Sequence, residues 1–373
     1  MTTSDKAPVF HSLGLPLQLT KRPIDLTLIQ LGQTSTDKQS NLDHARQTVR
    51  RAVSKSGSSG SNTRLVVLPE CWNSPYGVHF FDTYAEDFGG LYERVKSPLA
   101  ERKPIANAAH VAAKGDLDEV QAATAQQEAL VERWTVDGLN GRSVSVGESK
   151  SETLRMMSDL SKELGIVLVG GSIPERDAKT GKLYNTASVF NEHGDLISLH
   201  RKLHLFDIDI PGKMTFQESK TLTAGDRITV FECSLGRFGL AICYDLRFPE
   251  CATVAARLGA GAMIYPGAFN TTTGPRSWEL LQRGRAADNQ IYIVTCSPAR
   301  PTQEQIEGPD KAYPTYGFSM VVDPWGKVIH SLDEKENVLH AQLARDDVEE
   351  VRKFVPTSRQ RRFDVYPDVS SAY

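Results

Sequence analysis

Gly239-Leu-Ala-Ile-Cys-Tyr-Asp-Leu-Arg-Phe-Pro-Glu250 runs from an apolar strand pattern into a turn and then, at Pro249, into the first turn of a helix. The strand is predicted over Phe238–Cys243 and the helix over Pro249–Leu258. Cys243 closes the strand, so the turn exposes its thiol and points backbone N–H groups at it. Open α/β sheets bind their ligands beyond the carboxyl ends of strands, where this thiol lies. Two other segments share the arrangement. In Leu68-Pro-Glu-Cys-Trp-Asn-Ser-Pro-Tyr-Gly77, Glu70 follows the apolar run Leu65–Leu68, and a carboxylate there is expensive unless it is paired or used as a base. In His200-Arg-Lys-Leu-His-Leu-Phe206, Lys202 closes a hairpin strand. Each alone is better explained structurally, as a helix cap, a solvated charge or a core thiol. Together they form a Glu–Lys–Cys set.

Strands and helices alternate around these segments. Further strands are predicted at Ile24–Leu31, Ile166–Gly170, Ala262–Tyr265 and Ile291–Cys296, with helices at Asn41–Val53, Thr153–Leu164 and Ser277–Asp288. Hairpins intrude: Ala187–Asn191 returns through His193-Gly194 as Leu196–Leu199, and Gly317–Val322 returns through Asp323-Pro-Trp-Gly326 as Val328–Ser331. The expected class is therefore α/β with mixed sheets. Residues 1–21 read as an N-terminal extension to one domain over 22–373. Residues 89–146 are rich in Ala, Lys, Glu and Gln, with weak helical periodicity at Ala106–Ala113 and Leu117–Val131, and read as an insertion on that domain.

Composition removes several classes of function. The 373 residues are 40% hydrophobic and 24% charged, which is ordinary globular usage. A net charge of −3 gives no electrostatic footprint for nucleic acid or anionic lipid, and Arg359-Gln-Arg-Arg362 is too short to supply one. Apolar runs are strand-sized, so no membrane span is expected. Five cysteines, an odd number without a C-x-x-C, argue against a disulfide framework. The expected compartment is the cytoplasm, with the mitochondrion as the alternative.

Several motifs are decoys. Leu258-Gly-Ala-Gly-Ala-Met-Ile264 lacks the third glycine of a dinucleotide loop, and the helix precedes it. His200 and His204 stand four apart but follow a hairpin and lack the Glu of H-E-x-x-H, so no metal is assigned. Asn270-Thr-Thr272 is a formal glycosylation triplet with no meaning in a cytosolic chain. No G-x-S-x-G elbow offers a serine nucleophile.

The three reactive segments resemble the signature blocks of the nitrilase, or carbon–nitrogen hydrolase, superfamily. The likeness extends to Gly170-Gly-Ser-Ile-Pro-Glu175, Tyr184-Asn-Thr186 and Leu205–Ser219, then to Tyr265–Asn270, Thr273–Leu281 and Arg285–Gln290. These blocks are most similar to the omega-amidase branch. The resemblance covers about Pro23 to the C-terminus except 89–146. It implies a four-layer αββα sandwich that pairs through its helices as a homodimer. It further implies Cys243 as nucleophile, Glu70 as general base, Lys202 as the cation facing the tetrahedral intermediate, and Glu218 as a second glutamate positioning the lysine and substrate. Arg247 matches a carboxylate-binding position, and Tyr76 and Phe269 match pocket-lining positions. No metal or organic cofactor is implied.

Amide hydrolysis needs a nucleophile, a proton shuttle and a stabilised oxyanion. Lys202 and a backbone N–H near Tyr244 suit the last. Lys202 and the turn are also expected to lower the Cys243 pKa, where a depression of about two units would favour the thiolate by roughly 2.7 kcal/mol. Cys71 is the rival nucleophile; its carboxylate neighbour should raise its pKa instead. Arg247 has an alternative use as the partner of Asp245 or Glu250. The predicted function is hydrolysis of 2-oxo dicarboxylic acid monoamides, a small-molecule amide substrate. The alternatives are a deaminated-glutathione or carbamoyl amidase, or a non-enzymatic interaction protein on this scaffold.

Overall fold

A computed structural model describes residues 17–32, 34–55, 63–96, 136–139, 141–211, 214–308 and 311–361. The helices predicted at 106–113 and 117–131 lie outside the described residues. The first sheet contains β1 (Ile24–Gln30), β2 (Leu65–Val67), β3 (Glu86–Asp87), β5 (Val167–Arg176), β6 (Leu183–Phe190), β7 (Leu196–Arg201) and β16 (Asn337–Leu343). Its order is β16-β1-β2-β5-β6-β7, with β3 on β5. The second contains β4 (Val136–Asp137), β10 (Ile228–Cys233), β11 (Gly236–Leu240), β12 (Ala262–Pro266), β13 (Tyr292–Cys296), β14 (Met320–Val322) and β15 (Val328–Ser331). Its order is β15-β14-β13-β12-β11-β10-β4. Each sheet has a parallel centre flanked by antiparallel pairs, as the mixture of helices and hairpins predicts, with the two-residue β4 joining β10 in parallel at the edge of the second.

The period-two alternation of the strands builds the layers. On β2, Leu65 and Val67 point into the core between the sheets, while Val66 and Leu68 point to the helices behind. On β5, Val167 and Val169 face inward and Leu168 faces out. Phe238, Ile264 and Ile293 of the second sheet meet the same inner core. Behind the first sheet lie α1 (Lys38–Lys55) and α2 (Glu152–Leu164), whose Leu154, Met157 and Leu160 form one buried stripe. Ser151 caps α2 by accepting the Leu154 N–H, and Gly165 closes it in the left-handed region. Behind the second sheet lie α3 (Pro249–Arg257) and α4 (Gly274–Asn289). The result is the αββα sandwich.

Besides short elements such as β3 and β4, the elements not anticipated include β10, β16, α5 (Arg345–Phe354) and the hairpin of β8 (Asp207–Ile210) and β9 (Met214–Gln217). β16 returns from the far end of the chain to pair antiparallel with β1 over seven residues, from Ile24–Leu343 to Gln30–Asn337. The strand predicted to end on Cys243 ends at Leu240, and a 3-10 segment runs from Cys243 to Arg247. Within the N-terminal extension, Leu19 bridges Gly236 and lies against Gly261. The near flank of the Ala/Glu-rich segment is part of the core, since Leu91, Tyr92 and Val95 are buried. On the far flank, Val144 bridges Leu196.

A bulge in β5 shifts the register with β6 between Val169 and Ser172. It seats the loop that carries Glu70: the Trp72 indole N–H donates to the Gly170 carbonyl at 2.7 Å, and Ser172 bridges Glu70. Gly171 sits at φ +63°, and a Cβ there would come within 2.0 Å of the Pro69 carbonyl oxygen. Both the left-handed backbone and this close approach demand glycine. Gly171→Ala should therefore destabilise by roughly 2–4 kcal/mol in urea unfolding, with the Glu70 loop displaced. A variant of unchanged stability would show the loop tolerates that methyl group.

Candidate active site

The two sheets bring their carboxyl ends together. Glu70 comes just after β2, Lys202 just after β7 and Asn185 from within β6, all in the first sheet. Cys243 follows β11 and Ala268 follows β12 in the second, and Glu218 follows β9. Glu70, Lys202 and Glu218 have no solvent exposure. Lys202 Nζ lies 3.2 Å from Glu70 Oε1 and 2.9 Å from Glu218 Oε2. Buried charges persist only when paired and hydrogen-bonded, and here every oxygen is used. Asn185 Nδ2 donates to Glu70 Oε1 at 2.8 Å, and the Ala268 amide, from the opposite sheet, donates to Glu70 Oε2 at 2.7 Å. The Phe206 amide donates to Glu218 Oε2 at 2.8 Å, and the Tyr76 hydroxyl donates to Glu218 Oε1 at 3.1 Å.

These contacts set the charge states. Burial opposes a charged lysine, but Glu218 and Glu70 outweigh it and hold the Lys202 ammonium well above its ordinary pKa. Burial pushes the Glu218 carboxyl up, against the pull of Lys202. The expected depression of Cys243 is corrected: burial first, then the Glu70 carboxylate, push its thiol well up, and Lys202 offsets them only in part. Two carboxylates around one ammonium leave the site net negative, which disfavours a thiolate. The same causes raise Cys71, so electrostatics do not separate the two thiols as the sequence suggested.

Both thiols also sit in the left-handed region, Cys71 at φ +49° and Cys243 at φ +47°. What sets Cys243 apart is its place at the head of the 3-10 segment, where Gly267 passes so close that a Cβ there would lie 3.1 Å from Cys243 Cα. Asp245 holds the turn. Its buried carboxylate accepts from the Ile242 and His204 amides, each at 2.9 Å, and meets His200 Nε2 at 3.1 Å and His204 Nδ1 at 2.8 Å. Burial works against ionisation, but His200 and His204 keep this carboxyl well below the usual range. The histidine pair is thus a clamp joining the Cys243 turn to the strand leading to Lys202. Among the described residues no cluster of ligands suits a metal ion.

Asp245 is committed to that clamp and Glu250 is exposed, so neither takes Arg247 as an ion-pair partner. Arg247 is half-buried, donates from Nη2 to Ser277 Oγ at 3.2 Å and lies over the rings of Phe269 (4.9 Å) and Tyr244 (5.6 Å). Phe269 is itself buried against Trp278. Tyr76 packs on Tyr313 with centroids 4.6 Å apart, and a cavity lined by Glu70, Cys71, Tyr76, Tyr313 and Thr315 reaches Glu70 but not Glu218, Lys202 or Cys243. Sequence reasoning missed Asn185, Ala268, Asn270 and Tyr313. Asn185 and Asn270 lie inside quoted blocks, Tyr184-Asn-Thr186 and Tyr265–Asn270, and so had a signal; Tyr313 had none.

A family model described as carbon–nitrogen hydrolase matches residues 25–353. The chain is 40% identical to Omega-amidase NIT3 of Saccharomyces cerevisiae, over 95% of this chain and 98% of that one. It is 41% identical to Omega-amidase NIT2 of Mus musculus, over 91% and 96%. The crystal structure of Saccharomyces cerevisiae Nit3, a member of branch 10 of the nitrilase superfamily, superposes with a TM-score of 0.68 at 38% identity, covering 92% of this chain and 98% of that one. By family model, sequence and fold alike, this chain belongs to the carbon–nitrogen hydrolase family, whose members cleave carbon–nitrogen bonds.

Proposed function

We propose that the protein is an omega-amidase, hydrolysing the amide of 2-oxo dicarboxylic acid monoamides such as 2-oxoglutaramate and 2-oxosuccinamate to the oxo-acid and ammonia. One observation carries the substrate class. Arg247 stands four residues past Cys243 on an aromatic floor, with no carboxylate in ion-pair contact among the described residues. A guanidinium so placed receives a substrate carboxylate through two parallel hydrogen bonds. The relatives named omega-amidases support the same reading.

Each step of the cycle has a group in reach. Cys243 attacks the amide carbon as Glu70 takes the thiol proton, which suits a thiol that stays protonated at rest. A carbon–sulfur bond forms and the carbonyl oxygen becomes an oxyanion, held by Lys202 and the amide of Tyr244 in the first turn after Cys243. Glu70 returns the proton to nitrogen, the carbon–nitrogen bond breaks, and ammonia leaves a thioester. Glu70 then deprotonates water, which attacks the thioester and restores the thiol. Glu218 keeps Lys202 charged and aimed at the oxyanion.

We further propose a cytoplasmic homodimer joined through the helical layers. Leu280 on α4 is 69% exposed and Phe354 at the end of α5 is 63% exposed, and such large apolar groups on the outer layer favour a covering partner. No helix among the described residues is long and apolar enough to cross a membrane.

Cys243→Ala should lower kcat/KM by at least ~10³-fold, while Cys71→Ala retains most activity. The reverse pattern, read by ammonia release, would move the nucleophile to Cys71. Alkylation of Cys243 by iodoacetamide should keep accelerating above pH 8.5, because the raised pKa leaves thiolate scarce below it. A plateau near neutral pH would restore the pre-formed thiolate. Arg247→Lys tests the substrate class. It should lose most kcat/KM toward 2-oxoglutaramate, roughly 10²-fold or more, and much less toward a monoamide without the distal carboxylate. Equal losses on both substrates would leave a general amidase.

A further inference from the structure

We infer that the cavity beside Glu70 is a water port, which delivers the hydrolytic water of deacylation to that carboxylate while the acyl group still fills the space around Cys243. The port rests on the amidase reading above and concerns only its second half-reaction. The cavity lies among the ends of three strands: Gly32 and Thr34 follow β1, Glu70 and Cys71 follow β2, and Pro298 follows β13. In the second sheet β12 stands between β13 and β11, the strand that leads to Cys243. The cavity therefore approaches Glu70 from the side of β1 and β13, and neither Cys243 nor Lys202 lines it. Gly32, Thr34 and Pro298 are half-buried and Glu70 has no exposure, so the cavity leads from near the surface down to the base.

Its size and walls suit water. The volume is about 20 Å³, where one water molecule needs roughly 10–15 Å³ and two to four polar partners. A dicarboxylic acid monoamide is far too large to enter. The Thr34 hydroxyl donates to the Ser74 carbonyl at 2.8 Å, and the Thr315 hydroxyl donates to the Ala299 carbonyl at 2.7 Å. Having given their protons, both wall hydroxyls can only accept from a water molecule. The Tyr313 hydroxyl accepts from Asn270 Nδ2 at 3.2 Å and keeps its own proton to give. Tyr76 stands between port and triad: it lines the cavity, while its hydroxyl lies 3.4 Å from Glu70 Oε1 and 3.1 Å from Glu218 Oε1. Water passing that hydroxyl meets the carboxylate that deprotonates it.

A second route answers a difficulty of thioester chemistry. Once ammonia has left, the acyl group is bonded to Cys243 and blocks the way by which the substrate came, yet a water molecule must still reach the acyl carbon. Water beside Glu70 gives a proton to the carboxylate as its oxygen bonds to that carbon. The carbon–sulfur bond then breaks, and the proton passes from Glu70 to the departing sulfur. The products are the acid and the restored thiol.

Thr34 stands at the outer end of the port and outside the catalytic machinery. Thr34→Leu and Thr34→Met add bulk there, and Thr34→Val removes the hydroxyl at nearly constant size. Each is mixed, in excess, with 2-oxoglutaramate and quenched at intervals. Ammonia appearance reads acylation, and intact mass reads decay of the Cys243 thioester. Only active molecules react, so a partly unfolded sample does not distort either rate constant. In a bulky variant, thioester decay should slow roughly fivefold or more while acylation changes less than about twofold. Thr34→Val should slow less than either bulky variant. Decay that is unchanged in both bulky variants, or slowed in step with acylation, overturns the port and leaves the amidase reading standing. Equal slowing in Thr34→Val overturns it too, because a lost hydrogen bond rather than a narrowed passage is then the cause. An unaltered enzyme that releases no ammonia from 2-oxo monoamides refutes the amidase reading, and the port with it.

Discussion

An ammonium with no access to water, wedged between two carboxylates, is the constraint that organises this protein. Lys202 is stable there only because Glu70 and Glu218 both lie within about a hydrogen bond of it. Each carboxylate needs further donors of its own, and these come from Asn185, Ala268, Phe206 and Tyr76. The donors arise on both sheets and on the loops beyond them. Removing any member leaves a buried charge uncompensated, so the site and the sandwich are held together by the same contacts.

The excess of carboxylate over ammonium then decides the chemistry. A site with one net negative charge does not stabilise a resting thiolate, and burial disfavours it further. In the proposed cycle a base serves instead: the Glu70 carboxylate, held by Asn185, Ala268 and Lys202. The Asp245 clamp does related work at longer range, tying the turn of Cys243 to β7 and hence to Lys202. Cys243 and Lys202 keep their spacing although they follow strands of different sheets.

Much of this was legible in the chain. Apolar runs ending in Glu70, Lys202 and Cys243 marked strand ends, and the short spacing of Leu154, Met157 and Leu160 marked a helix face. Those signals are local. The direction of the thiol's shift was not legible, because it depends on how many charges from distant segments converge and how little water reaches them. Nor was the placing of Tyr313, whose hydroxyl accepts from Asn270, 43 residues away. The hairpin β8–β9 lacks a strong apolar alternation, which hid it. β16 is different: it does carry the alternation, with Leu339, Ala341 and Leu343 turned inward.

The pairing of β1 with β16 has a kinetic meaning. The second strand of the chain's first parallel pair, β2, can meet β1 early in synthesis, but the other edge of β1 stays open until residues 337–343 exist. Contacts closing so long a loop form late, since chain entropy opposes them until the intervening elements have collapsed. During translation at about 5–20 residues per second, the Glu70-bearing sheet therefore passes a considerable interval with an unpaired apolar edge. That interval, rather than the finished enzyme, is when this protein is most exposed to edge-to-edge aggregation and most dependent on chaperones.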